Sequence, residues 1–298
     1  MKKKILQSKK AIILCTMTML FVVSCSIPTQ NSQNRYAKSF DGEQISYNVY
    51  GEGATALLFV HGWSCDSKYW REQVPHFSQE YCVITMDLAG HGKSGQHRKV
   101  YSFDGFAQDV KAVIEAVNPE KVILIGHSFG GEIVASTVKL EPDKVTGIIG
   151  VDTLHNLDES FSKEEGSKMI GLDEFKKDFK PAVKKFVKQM MAKDVNPKLS
   201  NWIINDMASA PPEAAISAIE EYVGAISDKK TIDIFKDVKV PVICINADLW
   251  PTNIEANQKY MTSFNVKIIK GAGHFLMLEQ PEEFNKLMDI SIKEITAN

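Results

Sequence analysis

Cysteine is scarce in this chain of 298 residues, which contains only five. Cys15 lies in an N-terminal apolar run and Cys25 directly follows it after one serine, so three remain in the body of the chain: Cys65, Cys82 and Cys244. An odd number without a regular spacing excludes a disulfide framework and predicts no metal site. Cys82 and Cys244 lie in apolar runs, where a cysteine is typically a small buried hydrophobic residue. We expect neither a metal nor another cofactor.

The chain also lacks an excess of positive charge. It has 35 Lys and Arg against 37 Asp and Glu, which gives a formal net charge of −2. Five lysines and no acid fall within the first 24 residues, so the rest is mildly acidic, with 30 basic and 37 acidic residues. A nucleic acid backbone is bound by clustered Lys and Arg, and the composition therefore argues against a nucleic acid partner.

The apolar run near the N-terminus is too short to span a bilayer comfortably. It extends from Ala11 to Val23, follows five lysines, and has the length of the apolar part of a signal peptide. Its end, Val22-Val23-Ser24-Cys25, resembles a bacterial lipobox, in which the Cys is acylated and becomes the new N-terminus. An ordinary signal peptide or an uncleaved anchor is the alternative.

These features predict an exported bacterial lipoprotein of the cell envelope, anchored to the membrane by a lipid on Cys25. Residues 1–24 would be the signal peptide, and the polar residues 25–34 would tether the lipid to a folded domain at 35–298. The sequence does not indicate the oligomeric state.

Strand-like apolar runs alternate with helical patterns through most of the folded domain. A hairpin pattern at 35–50 comes first, and the runs then fall at 56–60, 81–86, 121–125, 145–151, 240–246 and 266–269. Because the runs are continuously apolar, they favour a strand buried on both faces. We therefore predict an α/β fold with a doubly wound, mostly parallel sheet, whose functional residues gather at the carboxyl ends of the strands.

One stretch, from about 157 to 230, interrupts this alternation. It has no strand pattern but several amphipathic helical ones, which Pro197, Pro211 and Pro212 separate. We interpret it as a helical cap inserted over the carboxyl edge of the sheet. Its apolar stripes are more typical of packing than of a substrate surface.

The segment from Lys121 to Ile133 carries the strongest motif. A short apolar strand leads into Gly126, Ser128 and Gly130, which match G-x-S-x-G, and a helical pattern follows. In this arrangement a strained strand-to-helix turn exposes the Ser hydroxyl above the sheet. The free amides at the start of the helix then face any anion that develops there. The pattern predicts Ser128 as a nucleophile.

A serine hydroxyl needs a base, and the base needs a carboxylate that orients it. His274 follows the last strand in a Gly-rich turn and is the candidate base, whereas His127 would point away from the nucleophile. Two aspartates end strands on the same edge of the sheet. Asp248 ranks first as the orienting acid because it precedes His274 in the chain. Asp152 is the alternative, and could instead hydrogen-bond backbone amides at the entrance to the cap.

An anion that develops on the substrate needs donors that are already in place. The backbone N–H of Phe129, directly after the nucleophile, is one candidate. The backbone N–H of Trp63, after the His61-Gly62 turn, is the other.

Four motifs occur in a fixed order: H-G-W at 61–63, D-x-x-G-x-G-x-S at 87–94, G-H-S-F-G-G at 126–131 and G-x-G-H at 271–274. In this the chain resembles the esterase-like members of the α/β-hydrolase superfamily, over roughly residues 36–298. The resemblance implies Ser128 as nucleophile, His274 as base, Asp248 as acid, and Trp63 and Phe129 as oxyanion donors. Two departures are the sequence at 246–251, which replaces the Gly-rich turn often found around the acid, and the second aspartate at 152.

The resemblance implies a serine hydrolase that cleaves a small or medium carboxylic ester through an acyl-enzyme. Ser128 excludes the dehalogenase and epoxide hydrolase routes, which place an Asp at this position. Thioesterase, lactonase, amidase, carbon–carbon bond hydrolase and acyltransferase activities use the same residues and stay open. So does a ligand sensor that retains the triad, because fold alone does not determine function.

Overall fold

The computed structural model describes residues 34–297. The expected signal peptide, Cys25 and the tether up to residue 33 lie outside the described residues. Eight strands form one sheet in the order β1-β2-β4-β3-β5-β6-β7-β8. They are β1 (Arg35–Lys38), β2 (Gln44–Tyr50), β3 (Thr55–Val60), β4 (Cys82–Met86), β5 (Lys121–His127), β6 (Val145–Val151), β7 (Val242–Ala247) and β8 (Phe264–Ile269).

Twelve α-helices and one 3₁₀ helix (Ser67–Trp70) accompany the sheet in the described part of the chain. The α-helices are α1 (Val74–Phe77), α2 (Phe103–Val117), α3 (Gly130–Val138), α4 (Lys163–Ile170), α5 (Leu172–Lys177), α6 (Phe179–Lys188), α7 (Pro197–Met207), α8 (Pro212–Ser227), α9 (Lys230–Lys236), α10 (Ile254–Gln258), α11 (Leu276–Glu279) and α12 (Pro281–Thr296). No helix within residues 34–297 combines the length and apolarity that crossing a bilayer requires.

The sheet is parallel except at one edge, where β1 and β2 pair antiparallel with each other and β2 pairs antiparallel with β4. This confirms the predicted α/β class. The central strands have no exposed face: in β5 the consecutive residues Ile123 and Leu124, which point to opposite faces of the sheet, are both fully buried. Each such side chain contributes roughly 1.5–3 kcal/mol by leaving water, and the continuous apolar runs in the sequence reflect this two-sided burial.

Strand register brings the ends of β5 and β6 to the same level. His127 pairs with Val151, so Ser128 and Asp152 each follow directly at the carboxyl edge. The Ser128 N–H donates to the Val151 carbonyl at 2.9 Å, and the Asp152 N–H donates to the Ile245 carbonyl at 3.0 Å. These backbone bonds hold both residues against the neighbouring strand.

The D-x-x-G-x-G-x-S motif folds a loop after β4. The Asp87 carboxylate accepts from the N–H of Ser67 at 2.8 Å and of Lys93 at 2.9 Å, and the Ser94 hydroxyl donates to the Asp87 carbonyl at 2.5 Å. Gly92 has φ +51°, and a Cβ there would lie 2.4 Å from the Asp87 carboxyl carbon. The motif therefore serves loop geometry.

Five helices, α4 to α8, lie between β6 and α9 and form the insertion, in the stretch where the sequence has no strand pattern. A capping box begins the first of them: the Ser162 hydroxyl accepts from the Glu165 N–H, and the Glu165 carboxylate accepts from the Ser162 N–H. The insertion packs on the turn after β3, because Phe175 stacks on Trp63 with the ring centroids 5.4 Å apart. It therefore covers this part of the carboxyl edge.

Glu132 is a buried carboxyl group in the first turn of α3. Only 5% of its surface is exposed, and Oε2 has no hydrogen-bond partner among the described residues. Burial raises the pKa of Glu132 to about 8, although its own backbone amide opposes the shift. The folded protein therefore holds this group protonated at neutral pH, whereas the unfolded chain ionises it.

We expect this group to make the folded state less stable as pH rises. Between pH about 4.5 and about 8 the unfolded chain releases a proton that the folded state retains. The free energy of unfolding then falls by about 1.4 kcal/mol per pH unit from this group. Glu132→Gln cannot ionise and should lose that slope. Urea unfolding at pH 5, 6, 7 and 8 measures it, with Glu115→Gln on the exposed side of α2 as the matched control. Equal slopes in wild type and Glu132→Gln would contradict the protonated state.

Candidate active site

Ser128 occupies a strained turn between β5 and α3. It has φ +52°, a left-handed conformation that costs a non-glycine residue about 1–3 kcal/mol. The surrounding backbone is packed too closely for side chains: a Cβ on Gly126 would lie 2.4 Å from the Gly130 carbonyl oxygen, and one on Gly130 would lie 2.8 Å from the His61 carbonyl oxygen. Ser128 itself is half-buried. The G-x-S-x-G pattern therefore has the local geometry that the sequence predicts.

His274 and Asp152 form the central side-chain contact of the site. The His274 Nδ1–H donates to the Asp152 Oδ2 at 2.5 Å, and both side chains are buried. Asp152 Oδ1 accepts from the Ala247 N–H at 2.8 Å. Burial alone would raise the pKa of Asp152, but the imidazoles of His155 and His274 outweigh it and hold the pKa below its usual range. The carboxylate is therefore ionised and oriented on both oxygens.

The Asp248 carboxylate does not contact His274, contrary to the expectation that it orients that imidazole. Its Oδ1 accepts from the Gly271 N–H at 2.7 Å, and Asp248 is exposed. Asp248 follows the end of β7 and stabilises the turn after β8, whereas Asp152 ends the strand next to β5. The carboxylate that contacts His274 is therefore that of Asp152, which the sequence ranks second.

The backbone of His274 is held from two sides. Its N–H donates to the Met190 carbonyl at 2.7 Å, and its carbonyl accepts from the His127 Nε2–H at 2.9 Å. Burial lowers the pKa of His127 to about 3, so this side chain is neutral. His127 immediately precedes Ser128 and thus links the turn at Ser128 to the loop that bears His274. The sequence predicts that His127 points away from the nucleophile but does not reveal this contact.

Ser128, Asp152 and His274 therefore belong to one cluster. Ser128 is bonded through its N–H to the residue before Asp152, and it follows the residue that holds the His274 carbonyl. Because Nδ1 of His274 is engaged with Asp152, Nε2 is the ring nitrogen that remains for a nucleophile.

The predicted oxyanion donors lie at the same edge. Among the described residues, neither the Trp63 N–H nor the Phe129 N–H has a backbone acceptor. Their side chains are packing anchors: the Trp63 Nε1–H donates to the Ala215 carbonyl at 2.7 Å, and the Phe129 ring lies 4.8 Å from that of Phe103. Rigid side chains thus hold two free backbone donors in place.

His61 is a positioning residue that sequence reasoning leaves without a role. Its Nε2 accepts from the Leu88 N–H at 3.0 Å, and its Nδ1–H donates to the Gly62 carbonyl at 2.8 Å. Burial lowers the pKa of His61, which favours the neutral ring that this pattern requires. A Cβ at Gly62 would lie 2.8 Å from the His127 Nδ1. The H-G-W motif therefore shapes the turn that presents the Trp63 N–H.

Two surface cavities lie outside this cluster, with volumes of about 720 and 920 Å³. The first is lined by residues that include Arg71 and Trp202, and the second by residues that include Lys99 and Glu213; neither is lined by Ser128. Across residues 34–297, no three His, Cys, Asp or Glu side chains group in a way that could hold a metal ion.

Comparison with known proteins places this site in context. A family model described as the alpha/beta hydrolase fold matches residues 55–230. The pimeloyl-[acyl-carrier protein] methyl ester esterase of Wigglesworthia glossinidia brevipalpis is 28% identical over 261 residues, which cover 83% of this chain and 97% of the relative. A non-heme chloroperoxidase of Streptomyces lividans is 26% identical over 264 residues, which cover 82% and 94%.

Among solved structures, the esterase EaEST of Exiguobacterium antarcticum superposes with a TM-score of 0.77 at 20% identity, over 88% of this chain and 100% of that chain. At this identity the likeness shows the fold alone. The family model, in contrast, matches more than half of the chain, and the protein therefore belongs to the α/β-hydrolase family.

Proposed function

We propose that the protein is a serine hydrolase that cleaves a small or medium carboxylic ester through an acyl-enzyme. The observation that carries the proposal is the 2.5 Å contact between His274 Nδ1 and Asp152 Oδ2, beside the strained turn that bears Ser128. A buried, ionised carboxylate on an imidazole is the arrangement that makes a neighbouring hydroxyl nucleophilic.

In the proposed reaction, Ser128 Oγ attacks the ester carbonyl carbon while His274 Nε2 accepts the hydroxyl proton. Asp152 stabilises the resulting imidazolium and keeps Nδ1 protonated. The N–H groups of Phe129 and Trp63 donate to the oxyanion. Collapse of the tetrahedral intermediate breaks the ester C–O bond, and the proton passes from His274 to the departing alcohol. Water then repeats these steps on the acyl-enzyme and releases the acid.

The surroundings of the site support an ester of limited size. Phe175 and Phe186 of the insertion lie against Trp63, with ring centroids 5.4 and 6.0 Å from it, so aromatic rings close over the turn that bears one oxyanion donor. The relative named as a methyl ester esterase, which aligns with most of this chain, supports an ester as substrate. Another relative is named as a chloroperoxidase. The choice of an alcohol as leaving group and of water as acyl acceptor therefore belongs to the proposal.

We also propose that the protein is exported and anchored to a membrane by a lipid on Cys25. Five lysines before the apolar run and the lipobox-like Val22-Val23-Ser24-Cys25 support this. The polar residues from Ser26 onward would give the hydrolase domain reach from the membrane surface.

The nucleophile can be tested by Ser128→Ala, which removes the hydroxyl from a half-buried position at little cost in packing. Hydrolysis of a series of nitrophenyl esters should fall by about 10³-fold or more. An organophosphonate should transfer its phosphonyl group to the wild type, with loss of its leaving group, and should leave the variant unmodified. Ser136→Ala further along α3 is the matched control and should stay active, because the buried Ser136 hydroxyl has no hydrogen-bond partner within residues 34–297. If Ser128→Ala keeps more than about a tenth of the wild-type rate, Ser128 is not the nucleophile.

The acid can be tested by comparing Asp152→Asn with Asp248→Asn. Asp152→Asn should lower kcat by about 10⁴-fold, because the imidazole loses both its tautomer and its counter-charge, with KM roughly unchanged. Asp248→Asn should lose less than about tenfold, since an amide oxygen can still accept from the Gly271 N–H. Steady-state kinetics and thermal unfolding of both variants decide the matter, and the reverse order of kcat would return the role to Asp248.

The lipid can be tested on protein purified from bacterial membranes. Intact mass should show a chain that begins at Cys25 and carries acyl groups, and the protein should partition into detergent. Cys25→Ala should stay unprocessed or become soluble. Cys15→Ala, within the apolar run that precedes Cys25, is the matched control and should be acylated normally. A wild-type mass without acyl addition would refute the anchor.

A further inference from the structure

Glu279, the last residue of α11, accepts hydrogen bonds from three backbone amides around His274. Its Oε2 accepts from the Gly273 N–H at 2.8 Å and from the Ala192 N–H at 3.4 Å, and its Oε1 accepts from the Phe275 N–H at 3.3 Å. Two of these donors flank His274 in the chain, and the third belongs to the insertion. One carboxylate therefore joins both sides of the histidine loop to the insertion.

The same segment of the insertion contacts His274 directly. Residues 190–192 lie between α6 and α7, and the Met190 carbonyl accepts from the His274 N–H at 2.7 Å. Gly273 permits this approach, because a Cβ there would lie 2.4 Å from the Ala192 nitrogen and 2.7 Å from the Met190 oxygen. The base thus rests on backbone of the insertion, with no side chain between them.

The environment of Glu279 suits a fixed carboxylate. Burial raises the pKa of Glu279, and the amides of Gly273, Ala192 and Phe275 oppose this by stabilising the ionised form. Hydrogen bonds from N–H groups to a carboxylate are stronger than those between neutral groups. Displacing residues 190–192 would break the hydrogen bond from the Ala192 N–H to Glu279. The Glu279 carboxylate would then be held less firmly.

We propose that Glu279 is a positioning residue that couples the placement of the insertion to the alignment of the His274 imidazole. The inference rests on the proposed function, in which His274 is the base. The His274 imidazole would then be aligned only while residues 190–192 keep their contacts with His274 and Glu279. A substrate or product that moves the insertion would then change the rate of the chemical step as well as access to the site.

The first test is Glu279→Gln, which keeps the side chain's size but replaces one oxygen with an NH₂ group that cannot accept from an amide. We expect kcat on a nitrophenyl ester to fall by about 10- to 100-fold, because small misplacements of a catalytic group are costly, with KM changed by less than about threefold. Glu283→Gln at the start of α12, where the carboxylate pairs with Lys286, is the matched control and should keep the wild-type kcat.

The second test addresses the insertion. Ala192→Pro removes the N–H that donates to Glu279, and Lys193→Pro places the same ring one residue later, at an exposed position whose N–H has no hydrogen bond in the described part of the chain. Ala192→Pro should lower kcat and Lys193→Pro should not. If both Ala192→Pro and Glu279→Gln act through one contact, the double variant should lose less than the product of the two single losses. Fully multiplicative losses would overturn the coupling.

The third measurement needs no substrate. The proton between His274 Nδ1 and Asp152 should give a far-downfield ¹H NMR signal, assigned by its loss in Asp152→Asn. We expect Glu279→Gln to shift or broaden it and Glu283→Gln to leave it unchanged. A lower kcat with an unchanged signal would indicate a purely structural role and overturn the inference. A wild type that hydrolyses no ester, but whose signal responds to Glu279→Gln, would keep the positioning role and overturn the proposed function.

Discussion

The hydrogen bond from His274 to Asp152 is the contact on which the site depends. It joins a loop after the last strand to the end of β6, and it requires a carboxylate to stay ionised while almost wholly buried. Two imidazoles and the Ala247 amide compensate for the lost water. The parallel sheet makes this possible, because adjacent carboxyl ends bring Ser128 and Asp152 to one level without any sequence proximity.

Close backbone packing around the serine explains the glycine-rich motifs. Gly62, Gly126 and Gly130 each stand where a Cβ would collide with neighbouring chain or with His127. The same crowding holds Ser128 at a positive φ, and the surrounding strands and α3 offset that strain. Histidines in two of the motifs, His61 and His127, are neutral and buried and act on backbone groups. Most residues of the H-G-W and G-H-S-F-G-G motifs therefore shape turns around the site.

The insertion covers the site and also contacts its residues directly. It supplies aromatic rings to the face of Trp63 and a carbonyl to the N–H of His274. Glu279 adds a third connection through Ala192. The insertion can therefore influence both the shape of the substrate region and the support of the proposed base.

Local patterns in the sequence were sufficient to predict the α/β class, the buried parallel strands and the turn at Ser128, because each depends on residues close together in the chain. They also indicated which residues end strands at the carboxyl edge. They could not decide between Asp152 and Asp248, because both end strands. The choice depends on the order of β5, β6 and β7 in the sheet and on where the loop to His274 turns. Local patterns could not predict the hydrogen bonds of His127 and Glu279 either. A hydrogen bond to a backbone amide or carbonyl far away in the chain produces no periodic sequence pattern, and only the packed tertiary structure determines it.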